Sequence, residues 1–484
     1  LSEFVTARTA RRAASIAGGI ILDVLAVDDD RTVHQKINAM NGLRPDVILI
    51  SGGLEGGDTV NVLRNASVIL AAAPKPKFMS RRAMPLVYAG NSDAAEQVRQ
   101  LLSGEFEVTV VPNLRPSIDE ENVEPTREAI HELFITNVMK RAPGYDKVLD
   151  WTRNNILPTP SAVERMLEVY SRERSLNTVM FDIGGATTDV FSHVDGRYSR
   201  TVSANLGMSY SASNVLQETG YKNIARWLPE KFSERDVRNR IMNKCINPTS
   251  LPESDSDLAV EQAVAREALK LAFDSHLEYT QKVEKTSFWD RMREHFTERF
   301  GMVDEYKETH YIQRDNVDLV IGAGGVLSRA PKREHALEIL IDAVQTTGLT
   351  YFGVDSVFMS PHLGMMCGLD ESAALKTFES ECFVPLGSVI ALSGKTDEDD
   401  VVATWRTEDS TVRHKLHGGE IKVIRAGFEE NVTVHINPVR GVDAGEGKGT
   451  SAKYTCRGGE VGILIDARGR PLEKGPAARL TEEA

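Results

Sequence analysis

An α/β protein with a β-rich C-terminal module is what this sequence predicts, on three observations. Residues 1–175 alternate between helix-like and strand-like periodicity, the pattern of a parallel sheet flanked by helices. Two short apolar runs, 178–182 and 317–321, each end in a glycine turn. From Phe383 onward, short β-type segments between glycines and charged turns replace any useful helical period. At 484 residues the chain exceeds what one hydrophobic core supports. It divides into 1–157, a first α/β lobe; 158–380, a second lobe with both glycine turns; and 381–484, a separate β-rich module.

In order, the spacing predicts a helix over 7–17, a buried strand over 20–27, a helix over 32–40 and a strand over 47–50. That strand stops at Ser51-Gly52-Gly53-Leu54-Glu55-Gly56-Gly57-Asp58, where four glycines free the backbone for a tight loop before a helix over 59–72. The cycle repeats with a strand over 86–88, a helix over 92–102 and a strand over 106–111. After Pro158-Thr159-Pro160 comes a helix over 161–174, then the strand 178–182, a Gly-Gly turn and a strand over 190–193. Strand, turn, strand is a hairpin, which differs from the strand-to-helix setting of a P-loop. A long amphipathic helical region covers 257–308, and a helix over 333–346 follows the second glycine turn. The strand-like runs of the β-rich module are 388–392, 401–405, 421–424 and 432–436.

Composition narrows the function. With 41% hydrophobic and 26% charged residues, the chain reads as a soluble globular protein. A net charge of −13 argues against a surface built for nucleic acid or anionic lipid. Cys245, Cys367, Cys382 and Cys456 lie far apart without a C-x-x-C pair, as in reduced cytoplasmic proteins rather than disulfide or zinc frameworks. No apolar run approaches the roughly 20 residues that span a bilayer. The first residue is Leu1, not methionine, so the natural N-terminus is expected upstream.

Asp182-Ile183-Gly184-Gly185-Ala186-Thr187-Thr188-Asp189 is the most informative stretch. Two adjacent glycines let turn N–H groups approach a phosphate where a Cβ would intrude. The hydroxyls of Thr187 and Thr188 are further donors. Asp182, at the strand end, is placed to hold a hydrated Mg2+ or orient an attacking water, and Asp189 does likewise or caps the turn. A bare Gly-Gly hairpin means little; D-x-G-G-x-T-T-D after an apolar strand means more. Downstream, Gly322, Gly324 and Gly325 make a strand-to-helix turn open to adenine, ribose or phosphate. It lacks the third glycine of a dinucleotide fingerprint and gains weight only beside the first motif.

Together the two motifs resemble the second phosphate loop and the adenosine loop of the actin, sugar-kinase and heat-shock-chaperone superfamily. The chain more closely resembles the MutL/GlmL family, the accessory proteins of glutamate mutase. The matching stretches are 45–58, Pro85-Leu86-Val87-Tyr88-Ala89-Gly90-Asn91, 158–163, 182–189, Asn205-Leu206-Gly207-Met208-Ser209-Tyr210-Ser211, 320–327 and 459–472. That resemblance implies actin-like (ribonuclease H-like) ATPase lobes, with ATP and Mg2+ as cofactors. It also implies a nucleotide-dependent reactivating chaperone for an adenosylcobalamin-dependent mutase, the mutase subunit being the client. By analogy with diol dehydratase reactivases, slow ATP hydrolysis would drive release of damaged cobalamin.

Carried over, Asp182, Gly184, Gly185, Thr187 and Thr188 contact phosphate and Mg2+. Asp182 is then the metal ligand, Asp182 and Asp189 the catalytic carboxylates, and Gly322, Gly324 and Gly325 the adenosine side. The family's first phosphate loop, of the D-x-G-S-T type, has no counterpart here. A fragment, or a divergent protein with half of its phosphate clamp, is therefore expected. The 51–58 loop also departs, with Leu54-Glu55 for Thr-Asp and Asp58 for Asn. A small-molecule kinase and a non-hydrolysing interaction scaffold stay open as other readings, as does self-association into a homo-oligomer.

Weaker signals have plainer readings. His276 is expected on a helix surface with no ligand role, because Tyr279 replaces the glycine of a D-x-H-x-x-G pattern. Gly445-Glu446-Gly447-Lys448-Gly449 has the wrong spacing for a P-loop and reads as a mobile turn. The stretch from Ser360 to Gly368 reads as a tightly packed helix, and Glu398-Asp399-Asp400 as a solvated turn.

Overall fold

A computed structural model describes the chain except for residues 1–5, 18, 77–82, 118–119, 138–143, 145–146, 149–150, 152–155, 158, 204, 229–231, 281–310, 398–399, 429, 473–479 and 483–484. Pro158, Glu398, Asp399 and the expected helical stretch beyond 280 lie outside the described residues. The chain falls into two compact units, one containing Leu1–Ile156 and the other Leu157–Thr280 with His310–Ala484.

The first unit is built on three parallel strands in the order β1 (Ile48–Gly52), β2 (Met84–Gly90), β3 (Phe106–Val110). Every residue of the central strand β2 is buried, as a strand covered on both faces must be. Helices Val60–Ala72 and Ser92–Leu102 cover one face over Ile50, Leu86, Tyr88 and Phe106. Ala13 packs with Ala89 and Leu114, and Ile130 with Val87, on the other face. The helix Val33–Leu43 begins at Thr32 in a reciprocal cap with Gln35. The strand expected over 20–27 does not form: the segment has no β-partner among the described residues, and Ile20 and Leu22 are 59% and 49% exposed. Its aliphatic run satisfies a local strand rule that no neighbouring sheet edge completes.

The second unit is organised by one nine-stranded sheet. Its first five strands in sequence are β4 (Thr178–Ile183), β5 (Thr188–Val194), β6 (Arg197–Ser203), β7 (Leu319–Ala323) and β8 (Gly348–Asp355). They lie side by side as β6-β5-β4-β7-β8, with the β4–β5 and β5–β6 pairs antiparallel and the β4–β7 and β7–β8 pairs parallel. Read along the chain, the order is third, second, first, fourth, fifth, which is the ribonuclease H-like arrangement expected for an actin-like lobe. Helices Asp255–Tyr279 and Arg333–Val344 pack on one face with Phe181 and Val320; Thr159–Arg174 and Ser360–Cys367 pack on the other with Met180 and Ile321.

Residues 381–484 are not a separate module. Strands β9 (Phe383–Ala391), β12 (Ile421–Ile424), β15 (Gly462–Asp466) and β16 (Leu480–Glu482) extend the large sheet beyond β8 as β9-β15-β12-β16. Strands β10 (Val401–Thr407), β11 (His414–His417), β13 (Asn431–Pro438) and β14 (Ala452–Arg457) form a four-stranded sheet in the order β11-β10-β13-β14. The reason is burial on two sides. Leu386, Val389 and Leu464 join the helix-covered core, whereas Ile390, Ile463 and Ile465 pack with Trp405, Val434 and Ile436 of the smaller sheet. Detached from β8, β9 would expose one of those faces.

Two plainer readings resolve differently. His276 is fully buried, not on a helix surface: Nδ1 lies 3.0 Å from Thr201 Oγ1 and Nε2 2.8 Å from Ser192 Oγ. Burial lowers its imidazole to about 3, so it stays neutral and ties the helix Asp255–Tyr279 to β5 and β6. The Gly445 turn is held by Asp443 Oδ1, which accepts from the N–H groups of Gly445 (2.7 Å) and Gly447 (2.9 Å). The 360–368 stretch packs tightly, as expected: a Cβ on Gly364 would lie 1.7 Å from the Ala162 carbonyl oxygen. Gly364→Ala is therefore expected to cost at least the roughly 1–3 kcal/mol of ordinary overpacking. Thermal melting followed by circular dichroism checks this, and an unchanged melt would mean that the two helices do not touch.

Candidate functional site

The hairpin turn between β4 and β5 is the centre of the site. Gly184 N–H closes it by donating to Thr187 O (2.8 Å). Among the described residues, the N–H groups of Gly185, Ala186 and Thr187 and the Thr187 hydroxyl meet no protein acceptor. The segment 207–211 braces the turn: Met208 N–H donates to Gly184 O and Ser209 N–H to Gly185 O, both at 2.9 Å. This bracing requires a missing side chain, since a Cβ on Gly185 would lie 2.6 Å from Ser209 Oγ.

The second glycine turn lies beside the first. Strands β4 and β7 are parallel neighbours, with Asp182 opposite Ala323, so both turns leave the same end of the sheet. From there β4 leads back through the β5 hairpin, and β7 leads through a helix to β8 on the other side. Such a reversal opens a crevice at the strand ends, the usual ligand position in open α/β sheets. Gly324 makes the close approach possible: its φ is +95°, and a Cβ there would lie 2.1 Å from the Ile183 carbonyl oxygen. Gly325 has open space where its Cβ would be. Gly322 does not face the crevice. It lies within β7 under Leu327 and Leu340, whose packing accounts for the missing side chain.

The carboxylates divide by partner. Asp182 is half-buried and accepts no hydrogen bond among the described residues. Burial first, then the nearby carboxylates of Asp189 and Asp355, push its carboxyl up to about 7, against the pull of Arg200. Asp189, opposite Asp182 in the hairpin, is buried and gripped by Arg200 through Nε (3.1 Å) and Nη2 (2.7 Å). Asp355, at the end of β8, is fully buried and receives Ser360 N–H (3.0 Å) and Ser360 Oγ–H (2.6 Å). Thr188 is also committed inward, donating to Leu206 O at 2.7 Å from a fully buried position. Its hydroxyl does not face a ligand, because β-strand alternation turns it to the face opposite Asp189.

A groove of about 650 Å³ starts at Met208 and Ala212, next to the bracing segment. Lys244 and Glu261 on its two walls approach to 3.4 Å, and Arg240 pairs with Asp257. Among the described residues, no three His, Cys, Asp or Glu side chains cluster as a metal site. The four cysteines are free thiols, and no described helix is long and apolar enough to cross a membrane.

Comparison with known proteins bears on identity. A family model described as MutL protein matches residues 1–382. The chain belongs to the MutL family. A curated relative, Protein MutL of Clostridium tetanomorphum, is 28% identical over 347 residues, covering 67% of this chain and 68% of the relative. Two solved structures are similar at low scores. A Bacillus thuringiensis ParM hybrid protein with ADP has a TM-score of 0.16 at 14% identity, covering 77% of this chain and 43% of its own. Nucleotide-free acetone carboxylase has a TM-score of 0.20 at 11% identity, covering 74% and 59%. For this MutL-family chain the lobe architecture therefore rests on strand order.

Of the residues singled out by sequence, the fold of this MutL-family chain brings Asp182, Gly184, Gly185, Thr187, Gly324 and Gly325 to one sheet end. Asp189 and Thr188 adjoin them with their polar groups already engaged, and Gly322 is a packing residue. Sequence reasoning missed Asp355 and Arg200. The apolar run 348–354 ending in Asp355 was a signal for the first; nothing local marked Arg200.

Proposed function

We propose that this MutL-family chain is a nucleotide-dependent accessory protein that reactivates an adenosylcobalamin-dependent mutase. One observation carries the nucleotide part: three unpaired turn N–H groups lie beside an unpartnered, half-buried carboxylate at a strand-reversal crevice. Backbone N–H groups of Gly185, Ala186 and Thr187 would receive phosphate oxygens, with the Thr187 hydroxyl as a further donor. The groove beside Met208 and the open side of Gly325 are room for sugar and base.

The donor set also fits a magnesium ion. Asp182 alone offers a free carboxylate, which suits a cation that keeps most of its waters and leans on phosphate. Bound Mg2+–ATP would supply the phosphoanhydride whose hydrolysis resets the protein. Asp182 would hold that hydrated ion or orient the attacking water, and Asp189, fixed by Arg200, would maintain the negative field around it. Family membership supports the mutase as client.

Calorimetric titration with Mg2+–ATP, on the parent and on Asp182→Ala, tests the site. Binding by the parent that weakens at least tenfold in the variant is expected. No binding by the parent, in the presence of the mutase as well as alone, would leave a non-hydrolysing scaffold as the better reading.

A further inference from the structure

The segment that braces the phosphate turn holds one residue against the trend of its neighbours. Leu206, Gly207, Met208, Ser209, Ser211 and Ala212 are all buried, whereas Tyr210 is 66% exposed. The largest side chain of the run, and its one aromatic ring, is therefore the one kept in solvent. Packing does not account for it. Neither does internal hydrogen bonding, because its hydroxyl meets no partner among the described residues.

The backbone of Tyr210 is nevertheless held on both sides. Before it, the N–H groups of Met208 and Ser209 bind the turn, and Ser209 Oγ also donates to Gly185 O (3.3 Å). Gly207 lies so close that a Cβ there would stand 2.5 Å from the Ala186 carbonyl carbon. After it, Ser211 O accepts from Asn214 N–H (3.0 Å) and Val215 N–H (3.3 Å), opening the helix Ala212–Thr219. The ring itself rests at the turn: its Cδ2 lies 3.6 Å from where a Cβ on Gly185 would be. An exposed aromatic on a fixed backbone gives a ligand a flat surface at little cost in side-chain entropy.

Its place limits what that surface can meet. On one side is the turn whose free N–H groups suit phosphate. On the other, Met208 and Ala212, two residues before and after it, begin the groove with room for sugar and base. A nucleotide running from the turn into the groove passes residue 210. The face of an aromatic ring carries negative potential and has little to offer a phosphate oxyanion. A nucleobase has a π-face of its own and stacks on such a ring.

We infer that Tyr210 is a specificity-determining residue, whose ring stacks on the nucleoside and so distinguishes a nucleotide from inorganic polyphosphate. The inference rests on the nucleotide reading proposed above and adds the ligand class to it.

Calorimetric titration with Mg2+–ATP and, separately, with magnesium tripolyphosphate tests this on the parent chain, Tyr210→Phe and Tyr210→Ala. Tyr210→Phe, which keeps the ring, is expected to bind ATP within about twofold of the parent, and Tyr210→Ala at least about tenfold more weakly, as for a lost base–aromatic stack. Tripolyphosphate should bind all three alike, which a general loosening of the turn would not give. Their melting curves should coincide, because the side chain is exposed and makes no hydrogen bond. An alanine variant that binds ATP as the parent does overturns the inference and leaves the nucleotide reading standing. So does a phenylalanine variant as weak as the alanine one, which would make Tyr210 a hydroxyl donor, or an ATP loss matched by tripolyphosphate. A parent chain that binds no ATP removes the nucleotide reading and this inference with it.

Discussion

Replacing Asp466 by Asn is expected to destabilise the second unit by about 3–5 kcal/mol, the cost of breaking a buried ion pair from one side. Asp466 ends β15 fully buried, and its Oδ2 is shared by Arg468 (2.7 Å) and Arg470 (2.6 Å). Arg468 continues to Asp342 Oδ1 (2.7 Å), and Asp342 Oδ2 receives Arg266 Nε at the same distance. One chain of charges thus ties the end of β15 to the helices Arg333–Val344 and Asp255–Tyr279. Burial alone would raise the Asp466 carboxyl; the two arginines outweigh it and hold it well below the ordinary range. Its contribution is therefore present above the usual carboxylate pKa and is lost only as pH falls far into acid. Urea unfolding at neutral pH measures the effect. A loss below about 1 kcal/mol would mean that water reaches the pair.

Asp182→Asn is expected to act in the opposite direction on stability while disabling the site. The folded carboxyl titrates near 7 against an ordinary 3.8, so the folded chain holds a proton that the unfolded chain releases. That contribution is complete below about pH 4 and is lost as pH rises through 7. An asparagine cannot ionise, so parent and variant should match in acid. By pH 8 the variant should lead by roughly 2–4 kcal/mol, read from paired urea titrations across pH. Under the proposed function, in which Asp182 would hold the hydrated ion or orient the attacking water, any nucleotide turnover should fall by about 10²-fold or more. Parallel stability curves at every pH would mean that neither burial nor the carboxylates of Asp189 and Asp355 raise the Asp182 carboxyl. A retained charge that destabilises the fold yet is needed for chemistry is a common mark of a working site.

Much of this was legible in the sequence because it is local. The period of the apolar residues places the helices Val33–Leu43, Val60–Ala72, Ser92–Leu102 and Arg333–Val344 within a few residues. The Gly-Gly hairpin after 178–182, and the second glycine turn after 317–321, are likewise properties of consecutive residues. The turn that carries the proposed phosphate contacts was therefore identified by sequence alone.

Tertiary structure decided which polar groups of that turn are free. Strand alternation and the bracing segment commit Thr188 to Leu206 O, and a cross-strand arginine takes Asp189, leaving Asp182 and Thr187 unpartnered. Asp355 reaches the site because parallel pairing of β4, β7 and β8 brings the ends of three distant segments together. The same long-range pairing drew β9, β12, β15 and β16 into the large sheet and buried His276 beneath β5 and β6. Periodicity says that a strand or helix has an apolar side; which neighbour covers it depends on packing among residues far apart in the chain.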